Sequence, residues 1–319
     1  MLPSKQDLNI LFAHVAYQLG PRFALRKTGI QHRQVSDRAE LNKSIGSADV
    51  LVISGLWDDK LLENASKLKF IQSIGAGTDQ FSREPLRKRN IRLASANMRA
   101  VSDHAMSLIL ALARRLPEAR DNQAKKHWRG MISDLEQRED ELSGKTLVIV
   151  GLGAIGGRLV KLAKAFDMNV LGVKRDTSTG HDLVDSVHHF SDLKHVLPRA
   201  DYVALTCPLT KETENLIDGA SFAAMKPSAF LVNAARGRCV NEAALIDALS
   251  RRRIAGAAID VTAEEPLPSD SPLWTTPRLF ITPHTAGETR RYEDNVLDIL
   301  TENVERLWNG EARLRNQII

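Results

Sequence analysis

Aromatic residues are scarce, at 5% of the 319 residues. That scarcity disfavours nucleic-acid binding through rows of stacked bases. Cysteine is scarcer still: Cys207 and Cys239 are the only two. Two thiols cannot form a zinc cluster alone, and neither belongs to a C-x-x-C pair, so no metal site is expected. A disulfide is open, but two buried thiols in a reducing compartment is the default expectation. No run approaches the ~18 apolar residues of a spanning helix. The opening segment, MLPSKQDLNILFAHV, carries Lys5, Asp7 and His14 around a short apolar stretch and does not read as a signal peptide. A soluble, cytoplasmic protein with no membrane partner is expected. A large excess of one charge is also missing: 44 Lys and Arg face 39 Asp and Glu, a net of +5. This surplus suits anionic ligands but is too diffuse to specify a polyanion. The short basic runs Arg87–Arg89, Lys125–Lys126 and Arg251–Arg253 fall on helices or helix ends, where solvated charge explains them and no nucleic-acid partner is implied.

What the chain does have is an ordinary globular composition, 43% hydrophobic and 26% charged. Its length suits about two domains. Short apolar runs alternate with helix-like stretches, the pattern of an α/β fold with parallel sheets. Strands are predicted at 8–15, 50–54, 68–74, 145–150, 169–173, 202–206, 230–233, 257–261 and 279–282. Helices are predicted at 104–113, 243–252 and from Gly287 to about Trp308.

The strand Lys145–Val150 runs into Gly151-Leu152-Gly153-Ala154-Ile155-Gly156, followed by a stretch that places Leu159, Leu162, Ala163 and Phe166 on one helical face. A G-x-G-x-x-G loop between a strand and a helix is the context of dinucleotide binding. Gly151 permits the tight turn, Gly153 lets backbone approach a pyrophosphate, and Gly156 lets helix and sheet pack closely. The amides of Ala154 and Ile155 then face the phosphates from a helix N-terminus. The next strand ends in Lys174-Arg175-Asp176, where an NAD-preferring protein usually carries an acid. A cationic pair there attracts a ribose 2′-phosphate, so NADP(H) is favoured over NAD(H). Asp176 is the residue through which a small loop shift would restore a ribose contact. The motif lies near mid-chain, so a domain precedes it or it sits in an inserted domain.

Six ordered segments make the chain recognisable: IGAGTD (74–79), GLGAIG (151–156), CPLT (207–210), NAARG (233–237), DVTAEEPL (260–267) and TPHTAG (282–287). With them the chain resembles the D-isomer-specific 2-hydroxyacid dehydrogenase family over nearly its full length. The resemblance implies that Arg236, Glu265 and His284 are catalytic. A guanidinium fork suits a substrate carboxylate and the adjacent carbonyl oxygen. A histidine titrating near neutrality suits proton delivery to the alkoxide, with a carboxylate orienting the ring. It further implies that the backbone amides of Ala76 and Gly77 meet the substrate carboxylate. Asp260 is to accept from the nicotinamide carboxamide, and Thr206, Cys207 and Pro208 are to line the adenosine half, Cys207 as a packing residue. Where the family often has V-A-E-H, this chain has Val101-Ser102-Asp103-His104, a departure expected to face the interdomain region. Trp57, in SGLW, has two readings: shaping a substrate mouth, or core packing.

The fold the resemblance implies is α/β, with two Rossmann- or flavodoxin-like parallel-sheet domains. A dinucleotide-binding domain at 99–287 is inserted into a substrate domain formed by 1–98 and 288–319, with hinges at 96–99 and 286–288. A homodimer through the 101–127 region is implied. The expected activity is NAD(P)-dependent reduction of a small 2-oxo acid to a D-2-hydroxy acid, or the reverse, with glyoxylate or hydroxypyruvate as the leading substrate. Phosphoglycerate oxidation and a nucleotide-sensing, corepressor-like binding protein are the alternatives. Formate dehydrogenases are disfavoured because they typically carry Gln where this chain has Glu265.

Overall fold

The computed structural model describes residues 2–96 and 99–319. The chain forms two compact units, one from 1–98 together with 288–319 and the other from 99–287. Asn97 and Met98, within the first expected hinge, lie outside the described residues.

The first unit is built on β1 (Asn9–Ala13), β2 (Gln31–Val35), β3 (Val50–Ile53), β4 (Phe70–Ser73) and β5 (Arg92–Ala94). These pair in the order β2-β1-β3-β4-β5, every pair parallel. Strands β3 and β4 are buried at every residue, as strands covered on both faces must be. The long helix Tyr292–Trp308 belongs to this unit and buries Val296, Leu297, Ile299, Leu300 and Val304. The same helix buries Asn303, whose amide donates to Gln72 Oε1 (3.1 Å) and to the Arg315 carbonyl (3.1 Å). Trp57 takes the core alternative: it is 6% exposed, packs at a tilt against Phe81 (5.0 Å) and donates through Nε1 to Asp59 (2.9 Å).

The second unit holds β6 (Thr146–Val150), β7 (Asn169–Val173), β8 (Ser186–His188), β9 (Tyr202–Leu205), β10 (Phe230–Asn233), β11 (Gly256–Ile259) and β12 (Leu279–Ile281). Their order is β12-β11-β10-β9-β6-β7-β8, again all parallel. The expected α/β class with two parallel sheets is therefore what the chain forms. Connections leave β6 in opposite directions, so the crevice between β6 and β9 is the switch point of this sheet, where such folds bind ligands. The helix Ala154–Ala165 covers one face, burying Leu159, Val160 and Ala163. Leu159 and Val160 each contribute roughly 1.5–3 kcal/mol on full burial. Phe166, expected on that buried face, instead ends the helix and is 39% exposed.

Strands β2, β5 and β8 were not expected from the sequence pattern. β5 is only three residues long, with Leu93 and Ala94 buried; for β2 and β8 the reason is visible in their burial. Four of the five residues of β2 are exposed or half-buried, and all three of β8 are half-buried. Edge strands need no apolar run, so hydrophobic patterning does not reveal them. The helix predicted at 104–113 starts earlier, at Arg99. In its first turns Ser102 is buried and donates to the Ile155 carbonyl (2.8 Å), and the exposed Asp103 pairs with Arg158 (2.8 Å). Both departures from V-A-E-H are thus spent on seating this helix against the glycine-loop helix. No helix among the described residues is long and apolar enough to cross a membrane.

Candidate active site

In a parallel sheet, every loop that follows a strand emerges at the same edge. This places Gly151–Gly156 after β6, Lys174–Arg175 after β7, Thr206–Pro208 after β9, Arg236 after β10, Asp260 after β11 and His284 after β12 along one rim of the second unit. Sequence segments up to 133 residues apart, from 151 to 284, become neighbours through strand register alone.

The glycine loop divides by cause. Gly151 has φ +101°, and a Cβ there would lie 2.7 Å from the Cys207 backbone. A Cβ at Gly156 would sit 1.9 Å from the Gly151 carbonyl. Both glycines are demanded by the chain's own packing. Gly153 is different: a Cβ there meets nothing within 4 Å. The protein leaves open space above this residue, where the close approach of a phosphate requires it. Among the described residues, the amides of Ala154 and Ile155 have no protein acceptor. A pyrophosphate fits this cradle, held by the N-terminal amides of a 12-residue helix. Thr206 closes the side of the loop, donating to the Gly151 carbonyl (2.7 Å). Cys207 is buried and hydrogen-bonds Cys239; that bond and burial push its thiol well up, so it packs rather than attacks. Pro208 is exposed beyond it.

Beyond β7, Lys174 Nζ donates to the carbonyl and hydroxyl of Thr179, and Arg175 pairs with Glu212 (2.9 Å). The Arg175 and Glu212 side chains are both more than half exposed, so this pair contributes little and is easily exchanged for another anion. Asp176 is committed to its own turn. The Ser178 hydroxyl and amide bond its carboxylate and hold it below the ordinary carboxylate range.

The candidate catalytic side chains meet through two close approaches. A Cβ on Gly237 would lie 1.9 Å from the carbonyl carbon of Thr262, so only glycine lets the 236–237 turn touch the 262–263 backbone. The Thr262 amide in turn donates to Glu265 Oε1 (3.0 Å). The other Glu265 oxygen lies 2.6 Å from His284 Nδ1. Burial alone would raise Glu265. The hydrogen bonds from His284 and Thr262, with the charges of His284 and Arg236, outweigh it and keep the group below its ordinary value. For His284 the hydrogen bond to Glu265 is the largest influence, opposed by burial and by Arg236; the net shift is upward from 6.5. Nδ1 must carry a proton to meet a carboxylate at this distance, so Nε2 is the atom left to exchange one. Among the described residues Nε2 has no partner, and the side chain is 48% exposed. Arg236 is half-buried and donates through Nη1 to the Ala235 carbonyl (2.9 Å); Asn233 secures its backbone by donating to the Arg236 carbonyl (3.0 Å).

Asp260 does more than the sequence suggested. It is 1% exposed, and its carboxylate accepts from the Thr282 hydroxyl (2.7 Å) and the amides of Thr285 and Ala286 (3.0 Å each). Burial would raise it, but these bonds and His104, 3.3 Å away, hold it below the carboxylate range. Its backbone carbonyl accepts the His284 amide (2.7 Å). Asp260 therefore builds the loop that carries His284. His104 and Thr282 in this cluster were not singled out from sequence; the D-x-x…T-P-H spacing alone gives no sign that one acid gathers both. Ala76 and Gly77 lie in the first unit, in the turn after β4, half-buried.

Because Gly237 is the contact between these loops, Gly237→Ala should destabilise the second unit by about 1–3 kcal/mol, the scale of overpacking. The His284 ring titration, followed by NMR, should move down as Glu265 is displaced. Gly219→Ala, at an open position, should change neither. An unmoved His284 titration in a folded Gly237→Ala protein would refute the contact's role.

Comparison with known proteins accords with this geometry. The family model described as D-isomer specific 2-hydroxyacid dehydrogenase, NAD binding domain, matches residues 106–286. A glyoxylate/hydroxypyruvate reductase B from Enterobacter sp. (strain 638) is 37% identical over 273 residues, covering 82% of this chain and 83% of its own. A D-3-phosphoglycerate dehydrogenase from Methanocaldococcus jannaschii is 36% identical over 286 residues; the match covers 86% of this chain but only 52% of that protein. A crystal structure of a D-isomer specific 2-hydroxyacid dehydrogenase family protein from Aeromonas salmonicida superposes with a TM-score of 0.82 at 30% identity, covering 98% of this chain and 99% of that one. With most of its inserted unit matched by the family model and its relatives aligned over four-fifths of its length, the chain belongs to the D-isomer-specific 2-hydroxyacid dehydrogenase family.

Proposed function

We propose that the chain reduces a small 2-oxo acid to a D-2-hydroxy acid, or runs the reverse, with NADP(H) preferred over NAD(H). The observation that carries this reading is the 2.6 Å contact of Glu265 with His284. It leaves a proton-exchanging Nε2 on the rim that also holds Arg236 and the glycine loop. A bound nicotinamide supplies or accepts the hydride. The chain's own residues do the rest. Arg236 binds the substrate carboxylate and polarises the carbonyl oxygen through its planar fork. The Ala76 and Gly77 amides take the same carboxylate. His284 Nε2 delivers the proton that the new alkoxide needs, and takes it back in oxidation. Glu265 fixes the ring and favours the imidazolium. Asp260 keeps one oxygen, Oδ2, with a single donor and so retains capacity for a carboxamide.

The preference for NADP(H) rests on Lys174 and Arg175, whose present partners are a neighbouring loop group and an exposed glutamate. Glyoxylate and hydroxypyruvate lead as substrates, since the 37% identical Enterobacter protein carries their name. A homodimer through the 101–127 region and its continuation accounts for Leu116, Trp128, Met131 and Leu135, all at least 54% exposed. Sedimentation should give twice the mass of 35.3 kDa, and a monomer at micromolar concentration refutes the dimer.

Absorbance at the reduced nicotinamide band, across small 2-oxo acids with NADPH and NADH in parallel, tests the activity directly. Turnover is expected with glyoxylate or hydroxypyruvate; cofactor binding without turnover on any acid selects a nucleotide sensor instead. Lys174→Gln with Arg175→Gln should raise KM for NADPH about 10-fold or more, the scale of lost charge-assisted bonds, and leave NADH within about twofold. Equal effects on both cofactors would reject the phosphate assignment.

The raised His284 value fixes the sign of the pH dependence. Reduction needs protonated His284, so its kcat/KM should fall as pH rises through a value above 6.5. Oxidation should rise over the same interval. In Glu265→Gln the carboxylate is gone, and the falling limb should move to lower pH. A limb that stays put shows that the pair is not coupled.

A further inference from the structure

The turn after β4 raises a question that the proposed carboxylate contact leaves open: what aims its amides outward? Three of its carbonyls are tied to donors of the first unit. The buried Tyr292 phenol donates to the Ile74 carbonyl (2.9 Å). The Ala96 amide donates to the Gly75 carbonyl (3.0 Å). The Ser73 hydroxyl, on a fully buried residue, lies 3.2 Å from that same carbonyl and 3.4 Å from the Gly77 carbonyl, sharing its proton between them. A trans peptide is planar, so its C=O and the following N–H point in opposite directions. Turning the Ile74 and Gly75 carbonyls inward therefore turns the amides of Gly75 and Ala76 outward. Among the described residues, the amides of Gly75, Ala76 and Gly77 find no protein acceptor. Successive unpaired amides of this kind form an anion-binding concavity.

We infer that Tyr292 is a positioning residue for 2-oxo acid binding: its phenol, through the Ile74 carbonyl, aims the Gly75 amide outward and anchors the start of the 75–77 turn that receives a carboxylate, while Ser73, on the Gly75 carbonyl, does the same for the Ala76 amide. This rests on the function proposed above and extends it to a residue that no motif contains. Tyr292 suits the task. It is 8% exposed, and its ring packs against Tyr17 at 4.5 Å, which in turn stacks on His14 at 4.2 Å. The ring is thus clamped, and the phenol has a single direction to point. Burial, with Tyr17, Glu293 and Glu288, raises its pKa, so the group stays a donor through the working pH range. It opens the helix Tyr292–Trp308, which anchors it to the first unit.

Tyr292→Phe removes the hydroxyl and keeps the ring. The expected result is a rise of about 3- to 10-fold in KM for the 2-oxo acid, the range of one net hydrogen bond. kcat and the KM for the reduced cofactor should stay within about twofold. The Kd of oxamate, an irreducible 2-oxo acid analogue, should rise by the same factor as KM. Ser73→Ala reaches the same turn from the other side and should give the same split, which keeps the test available if Tyr292→Phe folds poorly. A merely structural tyrosine would lower the melting temperature and leave both KM values and the oxamate Kd alone; that outcome overturns the inference, as does an equal rise in the cofactor KM. A wild-type protein that neither reduces 2-oxo acids nor binds oxamate overturns the proposed function and this inference with it. A wild-type protein that does both, beside an unchanged Tyr292→Phe, overturns this inference alone.

Discussion

The carboxylate of Asp260 is almost wholly removed from water, and charge in that position is costly unless it is fully hydrogen-bonded. Here it is met by the Thr282 hydroxyl and the amides of Thr285 and Ala286, with His104 alongside. All three bonds fall on one short segment, the one that carries His284. The cost of burying the charge and the placement of the ring are thus settled by the same contacts. The left-handed backbone of His284, at φ 55°, is held by the hydrogen bond its N–H donates to the Asp260 carbonyl. Without that anchor the imidazole has no fixed relation to Glu265, and the upward shift of His284 has no source.

A second constraint is absence of bulk. Gly237 allows one loop to lie on another, Gly156 allows a helix to lie on the glycine turn, and Gly151 allows that turn to lie on the backbone of Cys207. These contacts are backbone against backbone, with no flexible side chain to yield. Of the three glycines of the 151–156 loop, Gly153 alone lacks such a reason, and its openness is what a phosphate-binding turn needs. The same economy appears in the first unit, where pinned carbonyls leave amides free. In both units the amides left without a protein acceptor among the described residues lie beside carbonyls that are bonded internally.

Much of the site was legible as motif. The strand-loop-helix around Gly151–Gly156, the Arg of NAARG, the Glu before Pro and the His of TPHTAG were all readable as candidates, because each stands in a short segment of fixed local order. Central strands were legible too, since burial on both faces writes itself as an apolar run: β7 and β10 lie where the pattern put them. The edges were not. β2 and β8 face solvent and carry polar residues that no hydrophobic period can reveal. Nor were the supporting groups. Ser102 read as a departure near a binding region, yet it is a buried donor to Ile155. Tyr292 read as one more residue of an amphipathic helix.

The sequence by itself determined the fold class, the strand-by-strand alternation and the identity of the residues with chemistry to offer, since these follow from local periodicity and from residue types in order. Only the tertiary structure decided which of them support one another. That Asp260 gathers Thr282 and His104, that Gly237 lies on Thr262, and that a phenol at 292 holds the carbonyl at 74 depend on strand order and register, which bring together positions tens to hundreds of residues apart. Hydrogen bonding and close packing act over a few ångströms, and the sequence specifies them only through the folded chain.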